Sequence, residues 1–168
     1  MIVHIFDRTK PNTLDREGLL SLFRNATTES DYMAMDEIRD LETLDAVLNK
    51  QNLIHFFGYD ENIPIAYCQV IHKSGSVHFK SGAKINALSV LPEWRGKGLG
   101  RKLLEKVIAT LAKNHVIKNI YLEVVKDNVT AVNLYKGVGF KKTGELESLF
   151  TKNDTLLDIE IYSLLINQ

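Results

Sequence analysis

The stretch Arg95-Gly96-Lys97-Gly98-Leu99-Gly100 separates an apolar run, Ile85 to Leu91, from an amphipathic run, Leu99 to Ala112. The first run is typical of a β-strand, and the second has the spacing of a helix. Glycine at every second position lets the backbone approach a ligand closely, because no Cβ intervenes. Amides of the loop and of the first helical turn then point at one place, where the helix dipole favours an anion by about 0.3–1 kcal/mol. The sequence therefore predicts a phosphate-binding loop.

Two other kinds of phosphate-binding loop have different patterns. A P-loop needs Lys and then Ser or Thr after its last glycine, whereas Arg101 and Lys102 follow Gly100. A dinucleotide-binding loop has the spacing G-x-G-x-x-G, which Gly96, Gly98 and Gly100 do not match. A purine nucleotide held through its pyrophosphate, without a redox role, stays open. A glycine-rich turn with no ligand is the simplest alternative.

These residues resemble the first signature of the GNAT superfamily of N-acetyltransferases, Gln/Arg-x-x-Gly-x-Gly/Ala at a strand-to-helix turn. The second signature of that superfamily is matched by Tyr121-Leu122-Glu123-Val124-Val125, by Asn128 to Tyr135, and by Gly139-Phe140 after them. The resemblance implies an α/β (α+β) fold with a mixed central sheet flanked by helices. It also implies transfer of an acetyl group from acetyl-coenzyme A to a primary amine, by direct transfer and without a covalent enzyme intermediate.

The hydrophobic pattern predicts elements in the order that this fold requires: a strand, two helices, three strands, a helix, a strand, a helix and two strands. No repeat or long linker divides the sequence, so we expect a single domain over residues 1–168. The predicted elements are the strand Ile2 to Phe6, helices with apolar positions from Leu19 to Phe23 and from Met33 to Leu48, strands Leu53 to Tyr59, Ile65 to His72 and Ile85 to Leu91, a helix from Leu99, the strand Ile120 to Val125, a helix from Ala131 to Val138, and a hairpin of Lys141 to Glu147 with Leu156 to Leu165.

Composition limits the classes of partner. The chain has 168 residues, with 21 basic and 21 acidic side chains. This balance gives no general attraction to nucleic acid or to an anionic membrane, and we expect neither as a partner. Since no long apolar run occurs, we expect a cytoplasmic protein. The single cysteine, Cys68, lies in an apolar run and is typical of a small core residue. The histidines lack metal-ligand spacing, so no metal is predicted.

The resemblance implies two catalytic residues. Tyr135 matches the tyrosine that commonly protonates the leaving thiolate in the superfamily, although a tyrosine beside Ala131 and Leu134 also fits the core face of a helix. Proton transfer from a phenol with a pKa near 10 to a thiolate whose acid has a pKa near 8.5 is uphill by about 2 kcal/mol, which a local shift would have to remove. Glu123 matches a candidate base, and an outward carboxylate on a strand is the ordinary alternative.

The resemblance also implies the residues that bind the cofactor. The backbone of one strand segment pairs with the pantetheine arm like an added strand, and one of its amides receives the oxyanion. Asn128 resembles an asparagine near the cofactor, and it also fits the N-cap of the next helix. The predicted cofactor-binding residues are Leu88, Ser89, Val90, Arg95, Gly96, Lys97, Gly98, Leu99, Gly100, Arg101 and Asn128.

The acceptor stays open at this stage between a protein N-terminus, a lysine, a small polyamine and an antibiotic. The resemblance places the acidic segment Glu29 to Tyr32 where the superfamily forms one wall of the acceptor pocket, although a solvated loop between the helices is the favoured interpretation. Asn86 has a similar choice between facing the acceptor and ending a strand. A homodimer is compatible with the pattern. The alternative function is a regulatory domain that binds acyl-coenzyme A without catalysis.

Overall fold

The computed structural model of the protein describes residues 1–6, 15–28 and 38–166. The predicted order of strands and helices is confirmed. In chain order the elements are β1 (Ile2–Ile5), α1 (Arg16–Thr28), α2 (Leu41–Leu48), β2 (Leu53–Asp60), β3 (Ile63–His72), β4 (Gly82–Val90), a short 3-10 helix (Pro92–Trp94), α3 (Leu99–Leu111), β5 (Asn119–Val125), α4 (Val129–Gly137), β6 (Lys141–Lys152) and β7 (Thr155–Leu165).

The strands form one mixed sheet in the order β1-β2-β3-β4-β5-β7-β6. Only β4 and β5 are parallel, because α3 crosses between them, and the other neighbours are antiparallel. Helix α3 packs on β3 and β4 through Leu103, Leu104 and Val107, all fully buried. The mixed sheet flanked by helices is the fold that the resemblance implies.

Some boundaries differ from the predicted ones. The connection between β2 and β3 is two residues, Glu61 and Asn62, because Pro64 pairs with Tyr59 inside the ladder at a bulge. Strand β6 continues to Lys152, beyond its predicted end at Glu147. A second bulge, between Leu146 and Phe150, lets the strand resume pairing with β7. Both differences come from bulges, which break the two-residue alternation that predicts strands.

The sheet opens between β4 and β5. These strands pair only where Gly82–Ile85 lies beside Asn119–Leu122, although each continues beyond this segment. On its other edge, β4 has a bulge against β3: Gln69 is opposite Ala87 and Val70 is opposite Ile85, so Asn86 is the extra residue. A bulge bends its strand and increases the local twist. Residues 87–90 therefore keep their pairing with β3, and residues 86–90 have no partner strand on the β5 side.

Charged side chains hold β6 against β7 and against the end of β5. Lys126 Nζ donates to Glu145 at 2.8 Å and to Asp158 at 3.3 Å. Lys142 Nζ contacts Glu145 and donates to Glu160 at 2.7 Å. The hydrogen bonds from Lys126 and Lys142 lower the pKa of Glu145 from 4.5 to about 2. The hairpin thus depends on a carboxylate that must stay ionised.

We expect the Glu145 network to make the fold sensitive to acid. A carboxyl with a lowered folded pKa stabilises the fold above its unfolded pKa, and this contribution is lost as pH falls through the folded value. For Glu145 the loss occurs from about pH 4.5 down to about pH 2. Glu145→Gln should lower the Tm at neutral pH and then lose less Tm than the wild type over that range. Glu147→Gln, on the same strand, is the control, and equal acid sensitivity of wild type and Glu145→Gln would contradict the prediction.

Candidate active site

A cavity of about 340 Å³ occupies the opening between β4 and β5. Helix α4 and strands β6 and β7 contribute the remaining walls, and the divergence of the two parallel strands makes the opening. The candidate residues Leu88, Glu123, Asn128 and Tyr135 meet here. The complete lining consists of Lys84, Ile85, Asn86, Ala87, Leu88, Glu123, Val124, Val125, Asn128, Ala131, Tyr135, Phe150 and Ile159.

Glu123 is held in an ion pair on the cavity wall. Lys84 Nζ lies 2.9 Å from Glu123 Oε2, and the two side chains are 22% and 39% exposed. An ammonium group therefore already contacts the carboxylate that the sequence suggests as a base. Sequence analysis did not select Lys84, because a lysine on a strand is ordinary. Its one signal was its position two residues before Asn86, which places both polar side chains on β4 beside the cavity.

Tyr135 is buried on the core side of the cavity. Its residue is 8% exposed, and its ring lies 5.9 Å from the ring of Phe140 in an edge-to-face arrangement. Burial raises the pKa of the Tyr135 phenol well above its ordinary value of 10, and Cys68 raises it further. The described residues supply no hydrogen-bond partner for this hydroxyl. Tyr135 therefore keeps its proton at neutral pH.

Burial raises the pKa of the Tyr135 phenol, whereas proton donation to the thiolate was expected to need a smaller pKa difference between phenol and thiol. A higher phenol pKa makes transfer to a thiolate more uphill, if the thiol itself is unchanged. Burial also raises the pKa of the Cys68 thiol, which is completely buried and close to Tyr135. A leaving thiolate in the same surroundings is destabilised in the same way. The free energy of proton transfer thus depends on the difference between the pKa of the phenol and the pKa of the leaving thiol, and burial raises both.

Asn128 forms the N-cap of α4. Its side-chain oxygen accepts a hydrogen bond from the Ala131 amide at 3.2 Å, as the alternative interpretation of this residue predicted. The same side chain lies on the cavity wall. Capping fixes the start of the helix that carries Tyr135. A contact of Asn128 with the cofactor stays a prediction.

The glycine loop has the backbone conformation that a glycine favours. Gly96 and Gly98 both have φ of +73°, and a Cβ built on either residue would meet nothing within 4 Å. Gly98 is the N-cap of α3, and the first bond of that helix runs from the Lys102 amide to the Gly98 carbonyl. The preceding amides of the first turn have no partner within the helix. Open space and free donors therefore coincide at the loop.

The basic side chains around the loop are partly used by the protein itself. Arg95 Nε donates to the Val90 carbonyl at 3.0 Å, which closes the loop against the end of β4. Lys97 Nζ lies 4.6 Å from the centre of the Trp94 ring, in a cation–π contact. Arg101 extends to α4, as described next. The backbone amides are thus the donors that remain directed at the open space.

Arg101 links the start of α3 to the end of α4. Its Nη1 donates to the Gly137 carbonyl at 2.9 Å and lies 3.6 Å from Glu105. A Cβ at position 137 would lie 2.4 Å from Arg101 Nη2, so glycine makes room for the guanidinium. A cation also stabilises a helix C-terminus. The sequence pattern did not predict this contact, because the two residues are far apart in the chain.

The segment Glu29 to Tyr32, expected as a wall of the acceptor pocket, lies outside the described residues. Among residues 1–6, 15–28 and 38–166, no cluster of three or more His, Cys, Asp or Glu side chains is arranged to hold a metal ion. In the same ranges no helix has the length and apolar character needed to cross a membrane. Cys68 is buried, where sequence analysis placed it.

Curated relatives match a limited part of the chain. A spermine/spermidine N(1)-acetyltransferase of Bacillus subtilis is 43% identical over 54 residues, which cover 32% of this chain and 36% of that protein. The N-alpha-acetyltransferase RimI of Mycobacterium tuberculosis is 38% identical over 61 residues, which cover 36% of each chain. The chain thus spans little more than a third of the length of these relatives.

Solved structures match over nearly the whole chain. A GNAT-family acetyltransferase of Streptococcus pneumoniae has a TM-score of 0.84 and 21% identity, covering 98% of this chain and 100% of that one. A putative acetyltransferase of Salmonella typhimurium, solved with acetyl-coenzyme A, has a TM-score of 0.81 and 18% identity, covering 100% and 95%. At these identities the likeness concerns the fold. The model of the acetyltransferase (GNAT) family matches residues 17–140, most of the sequence, and the chain therefore belongs to that family.

Proposed function

We propose that the protein transfers an acetyl group from acetyl-coenzyme A to a primary amine, by direct attack of the amine on the thioester. One observation carries this proposal: the edge of β4 that has no partner strand lies beside the cavity and is followed, after one 3-10 turn, by the open glycine loop. A thioester cofactor needs such a continuous surface, because its pantetheine arm must pass from an anion site to a reaction site. Cytoplasmic location is part of the proposal.

The backbone of β4 and of the loop would bind the cofactor. When bound, acetyl-coenzyme A supplies an acetyl thioester, a pantetheine arm with amide groups, and a pyrophosphate. Leu88, Ser89 and Val90 offer an edge without a partner strand, which such an arm extends like an added strand, and the Val90 carbonyl already accepts from Arg95. The amides at the start of α3 have no partner within the helix, and a helix N-terminus favours an anion. Backbone groups carry this recognition, so the loop conformation matters more than the basic side chains.

Two side chains would serve as general acid and general base. Tyr135 keeps its proton at neutral pH and lies on the cavity wall, as a general acid for a leaving thiolate must. Glu123 is the carboxylate on the cavity wall that would accept a proton from the amine, directly or through water. The Lys84 ammonium occupies part of its hydrogen-bonding capacity. An entering ammonium substrate would compete with Lys84 for the same carboxylate.

The acceptor class determines how much base catalysis is needed. An α-amino group with a pKa near 8 loses its proton at pH 7 for about 1.4 kcal/mol, whereas an alkylamine near 10.4 needs about 4.6 kcal/mol. The named relatives act at both kinds of amine, a polyamine and a protein N-terminus. The alternative, a regulatory domain that binds acyl-coenzyme A without catalysis, keeps the loop but needs no Tyr135. A screen of amines with acetyl-coenzyme A, read by thiol release, tests the proposal directly.

Substitution of Gly98 tests the cofactor loop. Asn tolerates the left-handed backbone better than other residues, so Gly98→Asn should fold, yet its side chain fills the space in front of the free amides. We expect at least a tenfold loss of coenzyme A affinity by calorimetry, with little change in Tm. The control is Gly75→Asn, which also enters open space but lies in the turn before β4. Equal affinity of a folded Gly98→Asn protein would remove the loop from the binding site.

Tyr135→Phe tests the acid. The substitution keeps the ring and its packing on Phe140 but removes the proton. We expect kcat to fall by about 10²-fold or more, with little change in the KM for acetyl-coenzyme A. A matched substitution is Tyr162→Phe, which removes another buried hydroxyl on a strand away from the cavity lining. A Tyr135→Phe enzyme that works at full rate would mean that solvent protonates the thiolate.

Glu123→Gln tests the base and separates the acceptor classes. If Glu123 deprotonates an alkylammonium, the defect in kcat/KM should be greatest at low pH and should shrink as pH approaches the amine's own pKa. An α-amino acceptor should show a smaller defect at pH 7, since more of it is already neutral. The measurement is a pH–rate profile of both enzymes on the best acceptor. A defect independent of pH would assign Glu123 to binding instead.

A further inference from the structure

A chain of hydrogen bonds runs from the cavity into the core and has no part in the chemistry described so far. Asn86 Nδ2 donates to Gln69 Oε1 at 2.7 Å, and Gln69 Nε2 donates to the Tyr67 hydroxyl at 3.0 Å. The Tyr67 hydroxyl lies 2.7 Å from His55 Nδ1. Gln69, Tyr67 and His55 are 4%, 0% and 1% exposed. Of these four residues, Asn86 alone lines the cavity.

The donors and acceptors of this hydrogen-bond chain are arranged in one direction. Burial raises the pKa of the Tyr67 phenol far above 10, so the hydroxyl keeps its proton. Its oxygen accepts from Gln69, and with the His55 ring proton on Nε2 the single proton of Tyr67 is donated to His55 Nδ1. Gln69, with its NH₂ group committed to Tyr67, presents its carbonyl oxygen to Asn86. Asn86 must then turn its own NH₂ group inward, to Gln69.

The inward NH₂ group leaves the Asn86 carbonyl oxygen, Oδ1, for the cavity. Asn86 is the extra residue of the β4 bulge and follows directly after Ile85, the last residue paired with β5. Glu123 follows directly after Leu122, the partner of Ile85. The two side chains thus begin the two diverging edges of the same opening, and both line the cavity. The opening presents hydrogen-bond acceptors from both strands.

We propose that Asn86 Oδ1 binds the acceptor amine, and that Gln69, Tyr67 and His55 are positioning residues that fix the Asn86 amide in this orientation. The inference deepens the proposed function and rests on it. A primary amine carries enough N–H groups to donate to Glu123 and to Asn86 while its lone pair attacks the thioester. A neutral carbonyl holds the amine without competing for the proton that must leave. A tertiary amine lacks these donors.

Reversal of the hydrogen-bond chain would make the Asn86 side chain repel the acceptor amine. If Gln69 rotated its amide, Asn86 would rotate too, and its NH₂ group would face the cavity. The N–H groups of Asn86 would then face the N–H groups of the amine, donor against donor, and the contact would become unfavourable. The buried Tyr67 hydroxyl therefore controls whether the cavity wall attracts or repels the acceptor, although it touches no substrate.

Tyr67→Phe tests the inference, because it removes the group that fixes Gln69 and leaves the ring in place. We expect the KM for the amine to rise about 5- to 30-fold, with the KM for acetyl-coenzyme A unchanged. Tyr162→Phe is the matched control: Tyr162 is also 0% exposed, and its hydroxyl donates to Glu160 at 2.8 Å, outside the cavity. The control should leave the amine KM unchanged.

A double-mutant cycle separates positioning from general destabilisation. Asn86→Ala should raise the amine KM by a similar factor, and Tyr67→Phe should add little in the Asn86→Ala background, because the two act through one contact. Asn86 is exposed, so its variants test the inference even if Tyr67→Phe does not fold.

The outcomes distinguish this inference from the proposed function. A wild-type enzyme that acetylates no amine would overturn the proposed function, and the inference with it. An active wild type whose amine KM is unaffected by Asn86→Ala, or in which the two substitutions act independently, would overturn the inference alone. An amine-specific KM effect that is shared between Tyr67 and Asn86 supports it.

Discussion

The parting of β4 from β5 after the pair Ile85–Leu122 is the constraint on which the rest of the site depends. Until that pair, the parallel strands satisfy each other's backbone groups. Beyond it, the β4 bulge at Asn86 turns the strand away, and one edge of residues 86–90 is left without a strand partner. Such an edge is a liability in a folded protein unless something covers it. The cavity, the exposed strand edge and the position of Glu123 all follow from this one divergence.

Each candidate catalytic group obtains its chemical state from a different part of the fold. Tyr135 is held neutral by burial on the core face of α4, whereas Glu123 stays at the cavity wall with Lys84 beside it. Burial of the first and exposure of the second keep an acid and a carboxylate within one cavity without direct pairing between them. Asn86 adds a neutral acceptor whose orientation is determined from the core. The charge of Glu123, the neutrality of Tyr135 and the orientation of the Asn86 amide are thus determined by different parts of the fold.

Local patterns predicted the elements and the glycine loop, because strand alternation, helix spacing and positive φ at Gly96 and Gly98 are properties of neighbouring residues. The strand bulges were missed, because one extra residue interrupts the alternation of apolar and polar positions in the same way as the end of a strand. The contacts of Lys84 with Glu123 and of Arg101 with Gly137 were missed for another reason. Each joins residues that only the folded sheet and helices bring together, and a lone Lys or Arg carries no signal of its partner.

The contact between Arg101 and Gly137 also connects the two halves of the site mechanically. Arg101 belongs to the first helical turn after the loop, and Gly137 ends the helix that carries Tyr135 two residues earlier. The hydrogen bond from Arg101 to the Gly137 carbonyl therefore ties the first turn of α3 to the end of α4. Alanine, a better helix former, would improve α4 locally but displace the guanidinium. Glycine at this position therefore gives up helix stability in return for the contact that ties the start of α3 to the helix that carries Tyr135.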